Sequence, residues 1–514
     1  MLNSSLNSRT GFNFVTSIAS YAVSLSVAIS YIPYLISELG LGAYGMIALS
    51  FSLVQFAAPI TQAISASMNQ RLVANWSDHE KFSSTFSTTL ILSFILAVIF
   101  GITAIFVSTV LEYLINVPHD LIDETRWLFL ATASAFILSL AVMPFGAVIF
   151  SRNAIYLLNL RQVVESLTRV GAVILLFMLF GGSLEFVASS IILASAVGAS
   201  ILVVGAVSVR RNLVFRIRGF SKHAALAMAK TGYGVIMVQL GTLMLLGSNI
   251  VIVNLTFGPE TGGAYAALAQ WSVVLNGLIL SVGATVTAKV MLDYHALNGQ
   301  ERSLSVAKAI RLLTCFAALP AGFVAGIAPD LLLVWVGPEV AQFSLTLTVL
   351  ALPLAVNVVS VPVLAGQLAA DRMTQVGVVY LILGVFYIAA AVTAARLLSW
   401  GGLEVAMVMG LFLLIKNYAF VIPMVALTYG RGSLRMLYVA SLYPWIWTAA
   451  VALITWLIAS VVNPESFLGL IVIGLAVTAI YGALAMASLP SSDRTMLLNM
   501  IRRILPRRSV RHAD

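Results

Sequence analysis

Long apolar segments, separated by short polar or charged stretches, follow one another along the whole chain. Each holds roughly 20 residues or more, enough to cross about 30 Å of hydrocarbon as a helix. No stretch has the mixed pattern of a soluble domain. The pattern predicts an all-α polytopic membrane protein with about fourteen transmembrane helices, at roughly 11–37, 43–68, 87–111, 127–150, 163–180, 185–208, 230–257, 263–288, 307–335, 341–366, 375–398, 403–428, 436–461 and 466–488.

The charges between these segments support the helix count. Basic residues concentrate in alternate segments, most densely in Arg210–Lys222 and after Arg494, whereas the intervening loops are mainly acidic. An error of one helix would scramble this alternation. By the positive-inside rule, both termini are predicted to be cytoplasmic.

Short motifs recur at one offset and indicate an internal duplication. Arg9–Phe12 returns 221 residues later as Lys230–Tyr233 (230 − 9 = 221), and Gly42–Tyr44 returns at the same offset as Gly263–Tyr265. Because each half then holds six helices, both start on the same side and the repeat is parallel. The predicted domains are a six-helix bundle at 1–208, a basic cytoplasmic linker at 209–229, a second bundle at 230–428, an extra helix pair at 429–488 and a basic tail at 489–514.

The composition excludes a soluble protein of this size. The 514 residues are 61% hydrophobic and 9% charged, with a mean hydropathy of +1.02. The net charge of +9 follows the cytoplasmic asymmetry and favours contact with anionic membrane lipids; it gives no support for a nucleic-acid partner. Cys315 is the single cysteine and the five histidines are scattered, so no disulfide, metal site or cofactor is expected. The first apolar stretch lacks the features of a cleaved signal and is predicted to be a retained helix.

Lys416 is the foremost candidate for substrate binding. It lies twelve residues from Glu404 and fifteen from Arg431, or about 18 Å or more from either boundary at roughly 1.5 Å per residue. A charged lysine there costs on the order of 3 kcal/mol. We therefore expect it to face a water-filled cavity or an anionic partner; the alternative is a buried lysine hydrogen-bonded to nearby carbonyls.

Carboxamides form a second set of candidates. Gln55, Gln62 and Asn69 recur every seven residues, and Gln55 corresponds to Asn276 in the repeat (276 − 55 = 221). Such groups donate and accept hydrogen bonds and suit hydroxyl-rich substrates, although contacts between helices explain them equally well. The remaining carboxamide candidates are Gln239, Asn249 and Asn357.

Two further features concern charge. Arg9 and Lys230 begin the two halves and are candidate contacts for an anionic headgroup, with ordinary positive-inside anchoring as the alternative. Glu165 and Arg169 are expected to form an interfacial pair. We expect no acidic residue near the middle of any helix, whereas cation-coupled exporters need one there. The absence of a P-loop pattern and of a catalytic constellation argues against an enzyme.

The segment Leu39–Gly45 after a long first helix, followed by a second helix that ends at Asn69–Arg71, resembles polysaccharide flippases of the O-antigen and exopolysaccharide type. These belong to the multidrug/oligosaccharidyl-lipid/polysaccharide (MOP) exporter superfamily. The resemblance implies two six-helix bundles around a central cavity. It also implies alternating-access transport of undecaprenyl-pyrophosphate-linked oligosaccharides across the bacterial inner membrane. Lys416, Arg9 and Lys230 would then contact the anionic headgroup, and a polysaccharide polymerase or co-polymerase is a candidate partner.

Other transporters fit less well. Lipid II flippases typically carry Asp-Ala-Phe and Arg-Pro-Asn patterns in the second helix, and these are absent from Ser50–Arg71. Major-facilitator transporters usually have a Gly-x-x-x-Asp-Arg signature that 69–81 lacks. A cation-coupled multidrug antiporter remains the runner-up, followed by a polymer-synthesis scaffold without transport activity.

Overall fold

The computed structural model describes residues 2–211, 213, 220–370, 372–429, 431–488 and 494, and these are overwhelmingly helical. A π-helix occupies Ile415–Val421, and short 3₁₀ turns occupy His119–Leu121 and Arg431–Ser433. The α-helices are α1 Leu2–Gln55, α2 Ala58–Ala74, α3 His79–Thr109, α4 Leu111–Leu114, α5 Ile122–Ser151, α6 Ile155–Phe180, α7 Leu184–Val209, α8 Lys222–Leu246, α9 Asn249–Phe257, α10 Pro259–Ala296, α11 Gly299–Gly326, α12 Ala328–Trp335, α13 Pro338–Ala341, α14 Ser344–Asn357, α15 Ser360–Ala369, α16 Met373–Leu398, α17 Leu403–Leu414, α18 Ile422–Tyr429, α19 Leu434–Val462 and α20 Phe467–Ser488.

Among the described residues, thirteen helices are long and apolar enough to cross a membrane. One of them, within α1, runs through Gly40, whose φ of 82° and ψ of 166° are not helical. Glycine tolerates this positive φ because it has no Cβ. Division of α1 at Gly40 separates the first two predicted helices, of which the second continues into α2 after the interruption at Phe56–Ala57.

Burial in α3 shows the inverted polarity expected of a helix in lipid. Thr88, Thr89 and Ser93 are fully buried, while Phe94 and Ile102 are 65% and 66% exposed. The buried hydroxyls of both threonines donate to backbone carbonyls one turn earlier. Such a helix buries its polar side chains and presents its apolar side chains to hydrocarbon.

The chain divides into two compact units. Unit 1 comprises Met1–Ala267 and Met373–Val408, and within it α8 packs along α16. A Cβ added to Gly377 would lie 2.5 Å from Met237 Cβ and 3.1 Å from the Gly234 carbonyl oxygen, so small residues allow this close approach. Unit 1 thus combines helices from both predicted halves. The division by duplication stays a prediction.

Unit 2 comprises Leu268–Arg372 and Met409–Asp514. Its most extensive helix pair is α11 with α19. A Cβ on Gly322 would lie 2.7 Å from the Thr448 carbonyl oxygen, which shows how closely the two backbones approach. Tyr481 of α20 donates to the Cys315 carbonyl of α11 at 3.1 Å. Helices α19 and α20 are therefore integral to the packing of unit 2.

Several predicted helices differ from the structure in ways that bear on function. The tenth, predicted at 341–366, is interrupted between Asn357 and Ser360. The second is interrupted at Phe56–Ala57, so Gln55 ends α1 and does not share a continuous helical face with Gln62. The fifth begins at Ile155 and not near 163. Its early polar residues are satisfied by neighbours in unit 1, since Asn159 donates to Ser17 Oγ at 2.9 Å. A polar face that packs against another helix had resembled a loop in the sequence.

The earlier start of α6 places Glu165 close to the middle of that helix, ten residues from its first residue (165 − 155 = 10) and fifteen from its last (180 − 165 = 15). The expectations that Glu165 and Arg169 are interfacial, and that no acidic residue lies near the middle of a helix, are wrong.

Candidate substrate-binding site

Lys416 lies at the centre of the helical stretch 403–429, thirteen residues from each end (416 − 403 = 13; 429 − 416 = 13), or about 20 Å at roughly 1.5 Å per residue. Its side chain is buried, with 2% of the residue exposed. Lys416 Nζ donates a hydrogen bond to Asn357 Oδ1 at 2.6 Å. The structure thus joins two residues that the sequence marked separately, and a carboxamide oxygen accepts a hydrogen bond from the buried amine.

The backbone is irregular on both sides of this contact. Lys416 belongs to the π-helix Ile415–Val421, a wider turn that often marks functional sites. Asn357 ends α14, and α15 begins three residues later. Ser360 Oγ donates to the Asn357 backbone carbonyl at 2.7 Å and to its Oδ1 at 3.3 Å. The break in the helix therefore fixes the Asn357 side chain where Lys416 reaches it.

Asn417, the next residue, has no exposed surface, and neither its Oδ1 nor its Nδ2 has a hydrogen-bond partner among the described residues. Such groups are rare in folded proteins because each costs roughly 1–3 kcal/mol. Asn417 is a candidate site residue that the sequence reasoning did not single out. The signal was the run of polar residues at 416–418 inside an apolar helix.

An aromatic network ties the π-helix to α19. Tyr418 donates its hydroxyl to the Ser441 carbonyl at 2.7 Å and accepts from Trp445 Nε1 at 3.0 Å. Tyr438 stacks on Tyr418 with ring centroids 6.3 Å apart and donates to the Tyr418 carbonyl at 2.7 Å. Because these contacts hold both the side chain and the backbone of Tyr418, they fix the segment that carries Lys416.

The carboxamide candidates of unit 1 do not form one continuous group. Gln239 Nε2 on α8 donates to Gln62 Oε1 on α2 at 2.7 Å, and Gln62 is exposed. This pair offers hydrogen-bonding groups at an accessible surface. Gln55 is exposed at the end of α1, whereas Asn69 is half-buried and lines a cavity within unit 1.

Asn249 is buried at the start of α9 and accepts a hydrogen bond from the Tyr387 hydroxyl, which is an internal contact of unit 1. Asn276 is half-buried on α10. Arg9 and Lys230 lie in helices, but their side chains are outside the described residues. The roles of these four candidates stay predictions.

Comparisons with known proteins show which structures share this fold. No protein-family profile matches the sequence. The uncharacterized membrane protein EpsK of Bacillus subtilis (strain 168) is 26% identical over 415 residues, covering 79% of this chain and 81% of EpsK.

Among solved structures, the lipid II flippase MurJ in an inward closed conformation superposes with a TM-score of 0.68 at 13% identity, covering 92% of this chain and 98% of MurJ. An inward-facing multidrug resistance MATE transporter of the MOP superfamily gives 0.60 at 16% identity, covering 81% and 99%. The eukaryotic MATE transporter AtDTX14 gives 0.63 at 14% identity, covering 84% and 98%. The chain is therefore a multi-pass membrane protein with the fold of the MOP-superfamily structures, and the predicted all-α polytopic class is confirmed.

Proposed function

We propose that this protein is a flippase that moves undecaprenyl-pyrophosphate-linked oligosaccharide repeat units across the bacterial inner membrane. The product serves the synthesis of a surface polysaccharide or exopolysaccharide. A fold similar to those of the lipid II flippase and the MATE transporters supports membrane transport by alternating access. The observation that carries the proposal is the buried Lys416–Asn357 pair in the middle of a transmembrane helix.

The chemistry of this pair suits an anionic substrate. Asn357 Oδ1 is a neutral acceptor, and a pyrophosphate oxygen would make a stronger, charge-assisted hydrogen bond to the same amine. Exchange of one acceptor for the other requires a shift of the α14–α15 break or of the π-helix, and both are irregular backbone of the kind found at transporter sites. Asn357 thus holds Lys416 between transport cycles.

The sugar portion needs hydrogen-bonding groups and no charge. The Gln62–Gln239 pair supplies carboxamides at an accessible surface, and Gln55, Asn249 and Asn276 are further contacts in the proposal. Arg9 and Lys230, at the predicted cytoplasmic ends of the two halves, would receive the headgroup. Both termini are then cytoplasmic, and a polysaccharide polymerase is the proposed protein partner. Translocation makes and breaks no covalent bond, so the proposed activity is not enzymatic.

Deletion of the gene tests the substrate. We expect undecaprenyl-linked repeat units to accumulate on the cytoplasmic side and surface polysaccharide to be lost. Complementation with Lys416→Ala should fail at normal expression, while Lys416→Arg should restore part of the export because it keeps the positive charge. Unchanged polysaccharide with altered drug sensitivity would overturn the assignment.

Two observations favour a second candidate, a cation-coupled multidrug antiporter. Glu165 lies close to the middle of α6, where such exporters need a carboxylate. Glu404 in the first turn of α17 is 1% exposed, and neither carboxylate oxygen has a hydrogen-bond partner among the described residues. Buried carboxylates carry protons or cations in such transporters. If this function is correct, Glu404→Gln should abolish proton-driven drug efflux. The flippase proposal predicts that this variant still restores surface polysaccharide.

A further inference from the structure

Unit 1 contains a cavity of about 210 Å³ that is lined by both polar and apolar side chains. This volume is room for roughly seven waters at about 30 Å³ each. Asn69 also lines this cavity, and the nitrogen of its carboxamide can donate a hydrogen bond to an occupant. The polar lining consists of Thr61, Ser65, Asn69, Ser139 and Arg161.

The arginine in this lining belongs to a charged triad on α6. Arg161 Nη2 lies 3.2 Å from Glu165 Oε2, and Arg169 Nη2 lies 3.6 Å from Glu165 Oε1. Two guanidinium groups share one carboxylate, which leaves a net charge of about +1 in a helix that crosses the membrane. The Arg169 guanidinium carbon lies 5.7 Å from the centre of the Phe51 ring, whereas Arg161 reaches the cavity.

The Glu165 side chain packs against Gly198 of α7, in space that a larger residue there would fill. A Cβ on Gly198 of α7 would lie 2.6 Å from Glu165 Oε2 and 3.4 Å from Arg161 Nε. The side chain of Glu165 is 18% exposed. The carboxylate is therefore packed against α7 and directed at Arg161 on the cavity side, unlike an ion pair on a free surface.

We propose that this cavity binds a phosphoryl group and that Glu165 is a built-in competitor for Arg161. Arginine pairs with phosphate oxygens through two parallel hydrogen bonds, and hydroxyl and carboxamide groups complete a phosphate shell. When the cavity is vacant, Glu165 neutralises Arg161. An incoming phosphoryl group replaces the carboxylate, which keeps Arg169 as its partner. The site lies in unit 1 and does not depend on Lys416 or on the proposed flippase activity.

Titration calorimetry on the full-length protein in lipid nanodiscs tests the site. The probes are inorganic pyrophosphate, farnesyl pyrophosphate and farnesol, which separate a free anion, a lipid-linked anion and an uncharged lipid. We expect one or both pyrophosphates to bind and farnesol not to bind. Preference for farnesyl pyrophosphate would identify a lipid headgroup as the source of the phosphoryl group. Equal binding of the two pyrophosphates would identify a free phosphate as the source.

The variants test the roles within the triad. Arg161→Gln should weaken pyrophosphate binding about tenfold or more, because a charge-assisted pair is lost. Glu165→Gln should strengthen it severalfold by removal of the competitor. Arg169→Gln is the matched control on the same helix and should not strengthen it, since Glu165 keeps Arg161.

Asn69→Ala supplies a second lining variant if Arg161→Gln fails to fold, and it should also weaken binding. All titrations are made in a Lys416→Met background, which removes the amine proposed to bind the substrate headgroup. In that background Lys81→Met, at an exposed lysine outside the cavity, should leave binding unchanged. Absence of pyrophosphate binding in the Lys416→Met background, or weaker binding in Glu165→Gln, would overturn the proposal and leave the proposed role of Lys416 to its own test.

Discussion

Replacement of Lys416 by methionine should separate stability from transport. Methionine keeps an unbranched apolar side chain and removes the amine. Removal of the charge relieves an insertion cost of about 2.5–3.5 kcal/mol, while the lost hydrogen bond to Asn357 is worth about 1.5–3 kcal/mol for a charged donor. The difference runs from about 0.5 kcal/mol destabilising to about 2 kcal/mol stabilising on these figures. Asn357 Oδ1 also keeps its contact with Ser360 Oγ.

Reversible unfolding in detergent, followed by tryptophan fluorescence, measures the stability of the variant. Restoration of surface polysaccharide in a deletion strain measures its transport activity. We expect unchanged or higher stability with export lost. Lys81→Met is the control, because Lys81 is an exposed lysine whose side chain is 73% accessible, and it should keep export. A stability loss of about 3 kcal/mol or more, typical of a broken buried ion pair, would refute the reasoning and identify Lys416 as structural.

Further substitutions test the packing. Asn417→Leu should raise the free energy of unfolding by about 1–3 kcal/mol, because it removes a buried carboxamide that lacks partners among the described residues; a lower melting temperature would contradict this. Tyr387→Phe should cost about 1–3 kcal/mol by loss of a buried hydrogen bond. The buried hydroxyl of Tyr265 has no partner in the described part of the chain, so Tyr265→Phe should be neutral or stabilising. Equal changes in stability for Tyr387→Phe and Tyr265→Phe would refute the hydrogen bond assigned to Tyr387. Gly322→Ala should cost about 1–3 kcal/mol in chemical denaturation, since its Cβ would lie 2.7 Å from a backbone carbonyl, whereas Gly482→Ala meets open space and should not destabilise; tolerance of both would contradict the close packing of α11 on α19.

Much of the fold was accessible from hydrophobic periodicity, because each crossing must satisfy its backbone internally and so needs one long apolar segment. The break near Gly40 was visible as a glycine-rich segment between two such runs. The start of α6 was not, because Asn159 and Gln162 are polar by composition. Their hydrogen bonds to Ser17 Oγ and Ser24 Oγ of helix α1 appear only in the folded chain. No local pattern reveals such a distant partner.

The candidate site shows the same limit. Spacing alone located Lys416 at the middle of its helix, and the structure confirms that depth. Its contact with Asn357 joins residues 59 apart in sequence, and the helix break that positions Asn357 depends on packing within unit 2. The sequence marked the chemical groups, whereas their pairing is a property of the tertiary structure.

Flipping in reconstituted proteoliposomes tests the central claim most directly. Undecaprenyl-pyrophosphate-linked oligosaccharide is placed in one leaflet, and its appearance in the other is followed by its accessibility to a glycan-modifying enzyme. We expect the wild-type protein to move the lipid, Lys416→Met to abolish movement, and Tyr265→Phe to retain it. Wild-type protein that moves no lipid-linked oligosaccharide but exchanges a cationic drug for protons would contradict the account.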